Sequence, residues 1–272
     1  MTLVMALLLA AAGPGTGDDE TIDLLPVPRT MSIEETQDEK ESHSKYERED
    51  ARFGLSLGVS GSWILPFGYA NRDTIVVDNP FGGITIVFDG TLQWSDCFSS
   101  GWGTAITAEF TMVQAGRGAG SGRGRSNFTV GGFISFAQAT LSGDRASDDA
   151  GNSFRPDDLT LNTYIVGATM FQSLGNGVFA DGRLGLGAVH YSQVDATYNF
   201  KFVPEFRSTF LEDTWNFAME VRGGGGYRFG PLAITLGVGF RMLLPPAAGD
   251  TVDLDSGILF TIEVDLGVEI GF

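Results

Sequence analysis

The chain has 272 residues, with 34 acidic against 17 basic side chains for a net charge of −17, together with 38 glycines, 21 phenylalanines, two histidines and one cysteine. That charge repels a phosphate backbone, so nucleic acid is not an expected partner, and a single thiol with two histidines supplies neither an internal disulfide nor a zinc cluster. No run reaches the ~20 consecutive apolar residues of a membrane-spanning helix, whereas a β-barrel, whose apolar residues alternate, is not excluded.

Residues 1–12 read as a signal peptide: Leu3 to Ala12 is a short apolar run closing on Ala10, Ala11 and Ala12. Residues 13–51 read as an acidic periplasmic linker. Between Asp18 and Asp50 there are twelve acids and four bases, a composition that buries too little apolar surface to offset chain entropy, so this segment is expected to be disordered. The folded unit is expected over 52–272.

From Arg52 onward the dominant signal is alternation with period two. The first stripe is Phe53, Leu55, Leu57, Val59, Gly61, Trp63 and Leu65. It is followed by Trp102, Ile106, Phe110 and Met112; by Phe128, Val130, Ile134 and Phe136; and by Leu159, Leu161, Ile165 and Phe171. Then come Val178, Ala180, Leu184 and Leu186, next Trp215, Phe217, Met219 and Val221, and next Leu232, Ile234, Leu236, Val238, Phe240 and Met242. The last and longest stripe runs Ile258, Phe260, Ile262, Val264, Leu266, Val268, Ile270 and Phe272. Each is read as the lipid-facing side of one strand, with Trp63, Trp102 and Trp215 in interfacial girdles.

Connections support the count. Segments 173–177 and 229–231 are tight turns and the Gly/Arg-rich 115–126 a longer one, while 66–101, 142–157, 196–212 and 244–256 are long. Short turns alternating with long loops, both chain ends on the short-turn side, close for eight strands. The expected fold is therefore all-β: a closed antiparallel up-and-down transmembrane β-barrel of eight strands. Ile84 to Trp94 also looks like a strand and is placed as a β-extension within the first long loop; if it crossed the membrane with a partner the barrel would have ten.

Opposite the apolar stripes, Glu109, Arg183, Glu220, Arg222, Arg241, Glu263, Asp265 and Glu269 fall on the inward faces. Eight strands enclose an interior just wide enough for side chains, so these charges are expected to pair and plug it; a narrow ion path is the alternative.

The final strand, Val264-Asp265-Leu266-Gly267-Val268-Glu269-Ile270-Gly271-Phe272, resembles the terminal β-signal of bacterial outer-membrane proteins. The resemblance implies that Val264, Leu266, Val268, Ile270 and Phe272 are read by the barrel-assembly machinery. As a whole, 52–272 is similar to the small eight-stranded superfamily of the OmpA membrane domain, OmpX and OmpW, which implies residence in the bacterial outer membrane among lipid and lipopolysaccharide, as a monomer. His190-Tyr191-Ser192 resembles the His-x-Ser element of PagL-type lipid A deacylases, which would make His190 a base and Ser192 a nucleophile; here Gln193 stands where that family has Asn, and three strands follow.

Other features have plain readings. Asp144, Asp148, Asp149, Asp250, Asp253 and Asp255, with Asp157 and Asp158 nearby, lack the oxygen spacing of a calcium loop and read as solvated loop. Gly116 to Ser126 lacks the phosphate-loop order and reads as a turn; Gly223 to Gly226 lacks it too and marks a place where the wall bends or packs closely. Cys97 reads as an inert thiol. No cofactor or metal is expected. The expected role is non-enzymatic, a plugged barrel meeting outside partners through four long loops; a passive channel or OmpW-like carrier of hydrophobic molecules is the first alternative and a lipid A deacylase the second.

Overall fold

The computed structural model describes residues 54–72, 74–78, 81–82, 85–88, 90–115 and 128–272. The expected signal peptide, the acidic linker, Phe53, and the Gly/Arg-rich connection beyond Ala115 lie outside the described residues.

Eight long strands form a closed antiparallel barrel: β1 (Leu55–Phe67), β2 (Phe98–Ala115), β3 (Phe128–Gly143), β4 (Leu159–Gly175), β5 (Val178–Tyr191), β6 (Thr214–Phe229), β7 (Leu232–Leu243) and β8 (Leu259–Gly271). Sequence neighbours pair throughout, and β1 closes on β8 in a register that sets Trp63 opposite Val264 and Leu57 opposite Ile270. Closure leaves the barrel no free strand edge, which is the condition for a sheet to stand in hydrocarbon.

At one end the two described turns are tight. β4 and β5 are joined through Asn176 (φ 54°) and Gly177 (φ 79°), two left-handed residues whose twist matches the flanking strands. Both ends of the described barrel lie at this side, where the Phe272 amide donates to the Leu55 carbonyl at 2.9 Å.

The outward face is apolar from end to end, with Leu266, Leu236, Val59, Val166 and Ile134 each about 60% exposed. Burying such a side chain is worth about 1.5–3 kcal/mol, so a belt of them built around the whole circumference has hydrocarbon for its solvent. Trp63, Trp102 and Trp215 stand on this face toward the long-loop end, while Tyr227, Phe229 and Phe272 mark the other.

One stripe is inverted relative to the sequence expectation. Leu159, Leu161, Ile165 and Phe171 are buried, and β4 instead shows Tyr164, Val166 and Met170 to the outside. Both faces of β4 are apolar, so periodicity alone does not choose between them. Leu159, Leu161 and Ile165 are held with Phe133, Val189 and Leu141 in one buried cluster, and Phe171 with Phe179 and Ala233 in another.

The long connections are not plain solvated loops, which corrects the reading of 142–157 and 244–256. Segments 206–211, 194–199, 153–156 and 146–147 form a four-stranded sheet, and 252–253, 75–78 and 85–88 a three-stranded one. Within Ile84 to Trp94, 85–88 and 92–93 are strands paired outside the barrel and Trp94 opens a single helical turn ending at Cys97, so the barrel has eight strands. Their apolar sides, including Ile75, Phe88, Trp94, Phe154, Tyr198, Phe206 and Phe210, bury against one another. The aspartates 144, 149, 157, 158, 250, 253 and 255 do stay exposed on the outside of this cap.

Candidate functional site

The barrel interior is filled in three layers. Toward the tight turns, Phe171 and Phe179 pack at 5.0 Å between ring centroids beside Ala233, with the Arg228 guanidinium 5.1 Å and 5.7 Å from the two rings. Toward the loops, Ile64, Leu141, Leu159, Leu161, Val189, Ala218, Leu243 and Leu259 form an apolar layer continuous with the core of the cap. The Tyr191 hydroxyl, inside this layer, donates to the Leu244 carbonyl at 2.8 Å.

Between them lies a belt of charge. Arg222 on β6 grips Asp265 on β8 through two nitrogens, Nε to Oδ2 at 2.9 Å and Nη2 to Oδ1 at 2.5 Å, while its Nη1 donates to Asp181 on β5 at 2.8 Å. Arg241 on β7 donates from Nε to Glu220 on β6 at 2.7 Å and from Nη1 to Glu263 on β8 at 2.6 Å. Arg183 on β5 pairs with Glu109 on β2, three strands away around the ring, and so spans the lumen. All of these side chains are at most 13% exposed.

Charges withdrawn this far from water cost several kcal/mol each unless paired and hydrogen-bonded, and the two-nitrogen grip of Arg222 meets that condition with fixed geometry. Glycine makes room for it. The Gly223–Gly226 run lines the wall where Asp181 and Phe179 come in: a β-carbon at Gly224 would sit 3.1 Å from Asp181 Oδ1, and one at Gly226 2.7 Å from Phe179 Cζ.

The structure thus brings seven of the eight anticipated inward charges into two adjoining sets of ion pairs in one belt, with Glu269 also buried, nearer the tight turns. It adds Asp181, which the sequence reading passed over. The signal was present: Asp181 is two residues before Arg183, hence on the same face of β5.

His190 and Ser192 lie on the outer face at the loop-end rim. The Ser192 hydroxyl oxygen accepts the Thr160 amide at 3.0 Å, and His190 Nε2 meets Asp213 Oδ1 at 2.8 Å while its ring packs on Trp215 at 4.8 Å between centroids. Among the described residues the hydrogen bonds of these two side chains therefore run to other neighbours and form a rim contact. No set of three or more His, Cys, Asp or Glu among the described residues is placed to hold a metal ion.

In the cap, Cys97 is fully buried beside Trp94 and Phe98, and burial, then the charge of Asp96, pushes its thiol well above the usual range. Burial likewise raises the Tyr198 phenol. Asp195 is held below the ordinary carboxylate range by hydrogen bonds from Gln193 first and then from Thr209 and Arg207. A polar cleft of about 460 Å3 opens beside the 144–149 hairpin, lined by Ser95, Asp96, Asp144, Arg145, Asp148 and Asp149 among others.

No family model and no curated protein matches the sequence. Among solved structures the chain is similar to the attachment invasion locus protein Ail of Yersinia pestis, at 12% identity, with 79% of this chain and 99% of that chain covered and a TM-score of 0.31. It is similar to the neisserial surface protein A at 11% identity, covering 80% and 97% with a TM-score of 0.34. It is also similar to the outer membrane protease OmpT from Escherichia coli at 8% identity, covering 80% and 97% with a TM-score of 0.41. The membrane assignment rests on the molecule itself: a closed, even-numbered antiparallel barrel with an apolar outer belt, short described turns at one end and long loops at the other is an outer-membrane-type barrel.

Proposed function

We propose that this chain is a non-enzymatic protein of the bacterial outer membrane whose lumen is occluded and whose working surface is its folded outer cap. The observation that carries the reading is the Arg183–Glu109 pair spanning the lumen, within a belt in which Arg222 and Arg241 each tie two carboxylates, beneath an apolar layer that runs into the cap. An eight-stranded barrel has no spare diameter around such a belt, so conduction would require breaking buried ion pairs.

Its surroundings in this reading are outer-membrane lipid and lipopolysaccharide, which it meets as a monomer. The outward residues Val264, Leu266, Val268, Ile270 and Phe272 of the terminal strand serve as the assembly signal. Material investment in ordered loops, rather than in a lined passage, supports a role in contact with partners outside the cell.

Reconstitution into planar bilayers tests occlusion. The expected record is flat at physiological salt; steady unitary steps that change on Arg183→Ala would overturn the reading in favour of a pore.

A further inference from the structure

Phe202 sits at the tip of the hairpin formed by 194–199 and 206–211, fully exposed at 101%, with φ at +69° in the left-handed region that phenylalanine rarely adopts. Its neighbours behave otherwise: Phe200 is 3% exposed and Val203 packs against the core. The turn therefore leaves Lys201 and Phe202 exposed at its tip while Phe200 is buried and Val203 packs against the core. A second aromatic, Phe81, 63% exposed at the tip of the 75–88 hairpin, stands edge-on to Phe206 at 6.4 Å.

The cap that carries these rings is rich in acid, with Lys201 exposed beside Phe202. The Lys201 amide donates to Asn152 Oδ1 at 3.2 Å, which seats the Phe202 tip against the turn carrying Asp148 and Asp149. Those two aspartates also line the polar cleft with Asp96 and Asp144, where Arg145 is the one lining base. The described residues of segments 68–97, 144–158, 192–213 and 244–258 together hold fourteen acids against five bases, a net −9.

We infer that this end of the cap is a docking surface for a cationic, partly apolar polypeptide, with Phe202 as the apolar anchor and the aspartate-lined cleft receiving a Lys or Arg side chain. The inference rests on the cap being the working surface and gives the chemistry of its partner. An exposed aromatic ring alone would suit many apolar surfaces; the acidic excess of the cap and its aspartate-lined cleft select against polyanions and anionic lipid and in favour of basic polypeptide, since complementary charge steers encounter and an aromatic anchor supplies affinity.

The test uses the full chain in neutral detergent micelles and fluorescence anisotropy of a dye-labelled peptide of alternating Lys and Leu, with micelles alone as the blank. A Glu/Leu peptide, a heparin fragment and phosphatidylcholine vesicles serve as competing occupants. Saturable binding of the Lys/Leu peptide is expected, weakened roughly tenfold by Phe202→Ser, by Asp148→Asn with Asp149→Asn, and by high salt. Equal binding by those variants, or preference for the acidic peptide, heparin or vesicles, would overturn it. Each variant is checked for the heat-dependent gel shift of a folded barrel. The bilayer record separates the two proposals: a conducting barrel that binds the peptide loses occlusion alone, and a silent barrel that ignores it loses the docking surface alone.

Discussion

Arg222 reaches Asp265 by lying over Gly237, the residue directly opposite Asp265 on the intervening strand. A β-carbon at 237 would come within 2.5 Å of Arg222 Nη2 and 2.6 Å of Cζ. The absence of a side chain at one position of β7 is what lets β6 and β8 be tied through the lumen.

Gly237→Ala is accordingly expected to cost about 1–3 kcal/mol, the range for forcing extra volume into a packed interior. Gly239→Ala is the control: its β-carbon would meet Glu263 Cβ at 3.8 Å, an ordinary contact. Urea unfolding in lipid vesicles, followed by tryptophan fluorescence, should separate the two; equal midpoints would show that Arg222 does not depend on the gap.

Arg241→Met leaves Glu220 and Glu263 facing each other without their shared cation. The expected loss is about 3–5 kcal/mol, whereas adding Glu220→Leu and Glu263→Leu should return most of it, because the penalty lies in the unpaired buried charge. If the triple variant unfolds as readily as the single one, the belt contributes through shape and not through charge pairing.

Leu266→Arg, at the middle of the outward stripe of β8, is expected to destabilise by about 2–4 kcal/mol in a bilayer. The same change at the already exposed Phe202 should leave the unfolding midpoint in place. A tolerated arginine at 266 would mean that the belt is not in hydrocarbon.

The Asp195 carboxyl should titrate below the ordinary value of about 3.9, and Gln193→Ala should move its midpoint upward, since the Gln193 amide is the first contributor to the depression. The sign follows from a folded-state affinity for protons lower than the unfolded one: the hairpin gains stability above the ordinary carboxylate pKa and loses it as pH falls through the depressed value. Carbon-detected NMR of the carboxyl group gives the midpoint directly. A value at or above that of an exposed aspartate would refute the hydrogen-bonded arrangement.

Cys97 should resist maleimide at neutral pH in the folded protein and react fully in urea, because burial both excludes the reagent and disfavours the thiolate. Rapid labelling of the native barrel would mean that the cap opens around Trp94.

Much of this was legible along the chain. Strand positions, the outward faces of seven strands and the inward charges follow from period-two alternation, which is written in each strand separately and needs no knowledge of its neighbours. β4 resisted because apolar residues occupy both of its faces, so its orientation is settled by Phe133 and Val189 on adjoining strands. Asp181 was readable by parity from Arg183. Beyond the β-extension within Ile84 to Trp94, the cap was not readable: its strands are two to six residues long, interrupted by aspartates, and bury aromatic side chains against segments far away in sequence, such as Phe88 against Phe154 at 5.4 Å.

The sequence by itself determined a lipid-facing cylinder with charge inside, because hydrocarbon and lumen act on alternate residues of every strand. Only the tertiary structure decided which arginine holds which carboxylate and that the acidic loops close over an apolar core, because both depend on residues brought together across the ring or between loops, where no local pattern records the meeting.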